Sequence, residues 1–144
     1  MRTFKCNFYF LFLVFLLYML IFGSCSLARR VHVHVINRLP DGFPMTIHCQ
    51  SRDNDLGQSI VEVGDEVNWS FRINFWGTTL FYCEVQWGGD SSIWYHFDAY
   101  DDDRDFQRCR SECLWMISRE GFLYGYDQES EYWELFAFTK HEFS

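Results

Sequence analysis

Apolar and polar residues alternate along most of this chain with a period of two, the pattern of a half-buried β-strand. Val31, Val33 and Val35 lie on one face of a segment reaching Leu39, with His32 and His34 on the other. Met45, Ile47 and Cys49 share a face, and Ser59–Val63 reads as a short strand. The clearest stripe is Val67, Trp69, Phe71, Ile73 and Phe75, with Asn68, Ser70, Arg72 and Asn74 outward. Thr79, Phe81, Cys83, Val85 and Trp87 form the next. Ile93, Tyr95, Phe97 and Ala99 follow, with Trp94, His96, Asp98 and Tyr100 on the reverse. Cys113, Trp115 and Ile117 mark a later strand, Phe122–Tyr126 another, and Tyr132–Lys140 is aromatic enough for a last strand or a helix.

Polar and glycine-containing turns separate these runs: Pro40-Asp41-Gly42, the loop Ser51–Gly57, Gly64-Asp65, Gly77, Gly88-Gly89-Asp90, and an acidic loop Asp101–Gln107. Short strands at this spacing predict an all-β domain, a single antiparallel β-sandwich of about eight strands. The stripes Val67–Phe75 and Thr79–Trp87 flank one turn, so they are expected to pair as a hairpin at the centre of the core.

The first 26 residues break the pattern. Arg2 and Lys5 precede 15 uninterrupted apolar or aromatic residues, Phe8–Phe22, and then the small residues Gly23-Ser24-Cys25-Ser26. This is the order of a secretory signal peptide, and the apolar run is shorter than the roughly 20 residues a membrane span needs. Cleavage near Ser26 leaves residues 27–144 as one domain with no membrane insertion. Arg2 and Lys5 leave with the leader and no acid does, so 10 Lys and Arg remain against 20 Asp and Glu. An acidic surface argues against nucleic acid and anionic membrane as partners.

Cys6 and Cys25 depart with the leader. Cys49, Cys83, Cys109 and Cys113 remain, an even set that reads as two disulfides in an exported domain. Their spacings of 34, 26 and 4, with no CxxC, do not fit a zinc module. No metal or cofactor is expected.

The stretch Ile47-His48-Cys49-Gln50-Ser51-Arg52-Asp53-Asn54-Asp55-Leu56-Gly57 resembles the His-Cys-x-Ser-basic-Asp-Asp-Asp-Leu-Gly signature of the plant self-incompatibility S-protein family. Val35-Ile36-Asn37 with Leu39 is similar to that family's opening strand. Trp69-x-Phe71 with Asn74-x-Trp76-Gly77-x-Thr79-Leu80-Phe81-x-Cys83 is similar to its central hairpin. Cys109, Cys113, Trp115 and Gly121 are similar to its C-terminal block. Arg52 and Asn54 stand where Lys and Asp are common, and both keep the loop polar. The resemblance runs from Val31 to Tyr126. It implies a secreted β-sandwich with two disulfides, no catalytic activity, and a role as an extracellular ligand in cell–cell recognition.

Four cysteines allow three pairings. The expected one is Cys49–Cys113 with Cys83–Cys109, because a Cys109–Cys113 bridge closes only a tiny loop. Arg52-Asp53-Asn54-Asp55 lacks the distal Glu of a calcium loop and reads as a turn closed by Asx hydrogen bonds. Asp53, Asn54 and Asp55, together with Asp101, Asp102 and Asp103 beside Asp98, are the candidate partner-binding residues, since loops carry recognition.

Among the histidines, His32 and His34 are two apart on an outward face without an evident third metal ligand. No pair makes an acid–base constellation of the ribonuclease kind, so no catalytic residue is assigned. Asn68-Trp69-Ser70 is an N-glycosylation sequon with Asn68 outward. The expected function is a monomeric, non-enzymatic ligand of a cell-surface receptor, with a secreted defence or enzyme-inhibitor protein as the rival.

Overall fold

The computed structural model describes residues 3–22, 28–88 and 93–142, with side chains for 9–19, 28–88 and 93–139. Cys6 lies outside the described side chains. The expected cleavage point at Ser26, Cys25, and most of the Gly88-Gly89-Asp90 turn lie outside the described residues. Helix α1 (Thr3–Phe22) holds the apolar run, with Tyr9–Met19 exposed.

Among the described residues, the rest of the fold is ten strands and one short helix. These are β1 (Arg30–Asn37), β2 (Met45–Ser51), β3 (Asp55–Val61), β4 (Glu66–Arg72), β5 (Leu80–Trp87), β6 (Ile93–Asp101), α2 (Asp102–Arg108), β7 (Glu112–Ile117), β8 (Leu123–Asp127), β9 (Tyr132–Phe136) and β10 (Thr139–Glu142). They form two five-stranded sheets. Sheet A has the order β4-β1-β7-β8-β9 and sheet B the order β10-β6-β5-β2-β3.

The alternation read from the sequence is the burial pattern of the strands. Val31, Val33 and Val35 of β1 meet Met45 and Ile47 of β2, Cys83 and Val85 of β5, and Trp115 and Ile117 of β7 in one buried cluster. Burying such side chains contributes roughly 1.5–3 kcal/mol each. Asn37 ends β1 inside this core with its amide fully used. Its Nδ2 donates to Val61 O at 2.9 Å and Phe43 O at 3.2 Å, and its Oδ1 accepts from Leu39 N at 2.9 Å. A buried amide without those partners would be costly, so Asn37 fixes where the chain leaves sheet A for sheet B.

The all-β sandwich is as expected, with ten strands among the described residues where about eight were expected. Several finer expectations are corrected. β1 pairs with β7 in parallel, so the sandwich is not wholly antiparallel. β4 and β5 are not a hairpin: β4 pairs with β1 at the edge of sheet A, and β5 lies between β2 and β6. Their apolar faces meet across the sandwich instead, with Phe71 stacked on Phe81 at 4.5 Å. Tyr100 points inward, not outward, because the register against β5 shifts between Phe81 and Tyr82. The extra residue turns both Ala99 and Tyr100 into the core. The tail divides between two strands, with β9 finishing sheet A and β10 pairing with β6 of sheet B.

The disulfides join Cys49 to Cys83 and Cys109 to Cys113, not Cys49 to Cys113 and Cys83 to Cys109. The reason is strand order. Because β5 neighbours β2, Cys49 and Cys83 are direct register partners, with Cα atoms 4.1 Å apart. That leaves Cys109 and Cys113, which flank the entry to β7.

Candidate recognition surface

One end of the sandwich gathers the β2–β3 turn, the β4–β5 loop, the α2 segment and the β8–β9 turn. Both acidic segments singled out from the sequence are there, on either side of the β4–β5 loop.

The β4–β5 loop closes on Asn74. Its Oδ1 accepts from Thr78 N at 3.0 Å, its Nδ2 donates to Thr78 Oγ1 at 3.0 Å, and its backbone N donates to Thr79 Oγ1 at 2.9 Å. Gly77 takes φ +65°, and a Cβ there would sit 3.0 Å from Asp102 Oδ2, so this turn needs glycine. The closed loop leaves two large rings outside. Phe75 is 85% and Trp76 81% exposed, packed edge to face with centroids 5.5 Å apart. Phe75 was expected to continue the core stripe of β4; the strand ends at Arg72 and Phe75 belongs to the surface.

The segment Asp101–Gln107 is a capped helix rather than an acidic loop. Asp101 is the N-cap of α2, its side chain accepting from Asp103 N at 3.0 Å and Arg104 N at 3.4 Å. Asp102 accepts from Tyr100 Oη at 2.9 Å. Burial and the Asp102 carboxylate both hold the Tyr100 hydroxyl well above its ordinary pKa. Arg29 donates to Phe106 O at 2.8 Å and stacks over the exposed Phe106 ring at 4.2 Å.

Beneath the helix, Asp105 is wholly buried. Arg104 Nη2 lies 2.6 Å from its Oδ2 and Arg108 Nε 2.8 Å from its Oδ1. Arg108 also donates to Tyr126 O at 3.0 Å and lies over the Trp115 ring at 4.4 Å. The Cys109–Cys113 bridge then ties the helix end to β7. Among the described residues, Asp105, Cys109 and Cys113 form a cluster of potential metal ligands. Its sulfurs are bonded to each other and its carboxylate is held by two guanidiniums, so it works as a brace.

The β2–β3 turn is the Asx-type turn expected. Ser51 N donates to Asn54 O at 2.7 Å, and Asp55 Oδ1 accepts from Gly57 N at 2.8 Å. His48 Nε2 lies 2.6 Å from the same Asp55 oxygen, and that contact with the Gly57 bond lowers the Asp55 pKa. Asp55 therefore shapes the turn, while Asp53 and Asn54 face solvent.

Two grooves flank the β4–β5 loop. One, of about 430 Å³, runs between the 51–54 turn, Phe71, Arg72 and Leu80. The other, of about 410 Å³, runs between Arg29, Phe75, Asp102 and Phe106. Asp53 and Asn54 thus border one groove and Asp102 the other. Phe75 lines the second groove, and the exposure of Phe75 and Trp76 was missed because period-two counting assigned Phe75 to a strand. The turn chemistry of Asn74, Gly77 and Thr78 was the available signal.

Asn68 lies away from this end, exposed on β4, its Nδ2 donating to Glu66 Oε1 at 3.0 Å. His34 sits on the outer face of sheet A, with Nδ1 2.8 Å from Glu66 and Nε2 2.9 Å from Glu112. The two carboxylates approach opposite sides of the ring, which suits an imidazolium donating twice. Partial burial opposes that charge, but the two carboxylates outweigh it and raise the His34 pKa.

Comparison with known proteins accords with this architecture. The model of the family described as Plant self-incompatibility protein S1 matches residues 32–137. The chain belongs to that family. It is 37% identical over 132 residues to Self-incompatibility protein S1 of Papaver rhoeas, covering 91% of this chain and 93% of that protein. It is 44% identical over 92 residues to S-protein homolog 3 of Arabidopsis thaliana, covering 62% of this chain and 59% of that protein. A solved structure of SPH (Self-Incompatibility Protein Homologue) proteins shares the fold, with TM-score 0.58 at 14% identity over 78% of this chain and all of that one. Those proteins are described as a widespread family of small, highly stable, secreted proteins from plants. For this member of the S1 family, the Cys49–Cys83 and Cys109–Cys113 bridges and the Asn74-centred loop lie within the matched residues.

Proposed function

We propose that this protein is a secreted, non-enzymatic ligand that acts in cell–cell recognition by docking the loop end of its sandwich on a cell-surface receptor. The leader ending near Ser26 directs export, and the domain of residues 27–144 is the active form. The observation that carries the reading is the outward presentation of Phe75 and Trp76 by a closed, hydrogen-bonded loop. Rigid exposed aromatics flanked by grooves and polar side chains are the composition of interaction hot spots. Family membership and the secreted character of the SPH relatives support the same reading.

Several of the titratable groups at this end have structural work. Asp101 caps a helix, Asp102 holds Tyr100, and Asp105 binds two arginines. His34 and His48 are paired with carboxylates on strands. This favours binding over catalysis. The acidic balance favours a protein receptor over nucleic acid or anionic lipid.

The test is a pull-down with the secreted protein as bait, run in parallel against solubilised plasma membrane and against extracellular fluid. Saturable capture from membrane is the expected result. Capture only from fluid would move the protein to the inhibitor class.

A further inference from the structure

The outer face of sheet A carries an apolar row. Cross-strand register lines up Ile36 of β1 with Met116 of β7, Met116 with Tyr124 of β8, and Tyr124 with Leu135 of β9. These residues point away from the core, because their chain neighbours Val35, Trp115, Leu123 and Gly125 are buried in it. Tyr126 and Trp133 pair on the same outer face, with ring centroids 5.4 Å apart. Leu135 is 63% and Trp133 38% exposed. A contiguous apolar surface on a secreted domain marks a place where something is bound.

The same face holds the only N-x-Ser/Thr sequon in the whole sequence, Asn68-Trp69-Ser70. Asn68 and Ser70 are exposed on the edge strand β4, while Trp69 turns inward, its ring 5.9 Å from that of Phe81. Asn68 is the register partner of His34, and His34 of Leu114. The sequon therefore opens a row that runs beside the apolar one. At about 4.8 Å between strands, Leu114 lies roughly 10 Å and Tyr126 roughly 14 Å from Asn68 across the face. That is the reach of a short oligosaccharide. Asn68 Nδ2 donates to Glu66 Oε1 at 3.0 Å. The bond needs one of its two N–H groups, so it survives replacement of the other by a sugar.

We propose that Asn68 carries an N-linked oligosaccharide whose first sugars lie across the outer face of sheet A and cover Leu114, Tyr126 and the apolar row beside them. The donor in the export compartment is a lipid-linked oligosaccharide diphosphate. Asn68 Nδ2 attacks the anomeric carbon of its first sugar. The new N–C bond forms as the carbon–oxygen bond to the diphosphate breaks, and the amide proton passes to the departing lipid diphosphate. Transfer to the unfolded chain is not obstructed by the strand that Asn68 later joins. A sugar ring has an apolar C–H face and a polar rim. The C–H face packs on the Tyr126 and Trp133 rings, and the hydroxyls meet the polar start of the row, where Glu66 and Glu112 flank His34. A glycan on β4 also screens the open edge of sheet A against pairing with another chain.

The test uses the full chain secreted from plant cells. Treatment with a peptide N-glycosidase should lower the intact mass by one oligosaccharide, and peptide mapping should find the Asn68→Asp change that the enzyme leaves. An apolar dye that fluoresces on exposed hydrophobic surface reads the cover. Its signal should rise severalfold when the native protein is deglycosylated, and equally for Asn68→Gln and Ser70→Ala, with the circular dichroism spectrum unchanged. Leu135→Lys added to Asn68→Gln should cancel most of that rise, because it interrupts the exposed row. Secreted wild type that shows no mass change overturns the proposal. So does a glycosylated protein that binds the dye as strongly as its deglycosylated form.

Discussion

Asp105→Asn should be among the most destabilising single substitutions at the loop end. The carboxylate is 0% exposed and accepts from Arg104, from Arg108 and from the backbone N of Asp101 at 2.9 Å. An amide of the same shape turns one acceptor into a donor facing two guanidiniums. Arg108, only 5% exposed, is left as an uncompensated buried charge. Removing one partner of a buried ion pair costs about 3–5 kcal/mol. Arg108 keeps its bond to Tyr126 O and its place over Trp115 and Phe136, which favours the lower end, about 3 kcal/mol. At about 4 °C per kcal/mol for a domain of this size, Tm should fall by about 12 °C. Urea unfolding followed by tryptophan fluorescence measures this, since Trp115 reports on the cluster. Asp103→Asn, on the exposed first turn of the same helix, should cost under about 0.5 kcal/mol. A loss below about 1 kcal/mol for Asp105→Asn would refute the reasoning that a buried charge is being compensated there.

Other expectations follow from the same physics. The raised pKa of His34 means that its pairing with Glu66 and Glu112 stabilises the fold fully below the unfolded value near 6.5 and is lost as pH rises through the folded value. Wild type should therefore lose stability relative to His34→Gln across that window, and equal pH profiles would contradict the assignment. Replacing Cys49 and Cys83 together with Ala should cost about 3–4 kcal/mol, against about 2 kcal/mol for Cys109 with Cys113, since the first bridge spans 34 residues and the second 4. Chemical denaturation of the two double variants gives the order. Gly125→Ala should cost about 1–3 kcal/mol, because a Cβ would sit 2.7 Å from Arg108 Nη1 and 2.9 Å from Trp115; a neutral effect in the same assay would show that this stack yields.

Much of the fold was legible because period-two alternation reports which face of a strand is buried. Val31, Val33, Val35, Cys83 and Trp115 fell on the core side as read. What alternation does not carry is sheet membership. β4 and β5 are adjacent in sequence and both striped, yet nothing local says that the chain crosses between sheets at Ile73–Thr79. The disulfide error has its own cause: the small loop counted against Cys109–Cys113, while nothing local says that β5 neighbours β2 and so sets Cys49 opposite Cys83. Tyr100 was misplaced because one extra residue in β6 inverts the alternation. Of the candidate surface, polar loop composition placed Asp53, Asn54 and Asp101–Asp103 in loops at one end of the sandwich, but the helix cap that employs Asp101 and the loop that expels Phe75 depend on backbone geometry.

The central claim is that the Phe75–Trp76 tip is the contact made with a receptor. Its most direct test is binding of labelled Phe75→Ala and Trp76→Ala proteins to plasma membranes, beside wild type and Leu135→Ala, an exposed residue on β9. Each tip ring should contribute at least about 2 kcal/mol, so each variant should bind roughly 30-fold more weakly, with Tm unchanged because both rings are exposed and outside the core. Wild-type binding by both tip variants, with Tm unchanged, would contradict the claim.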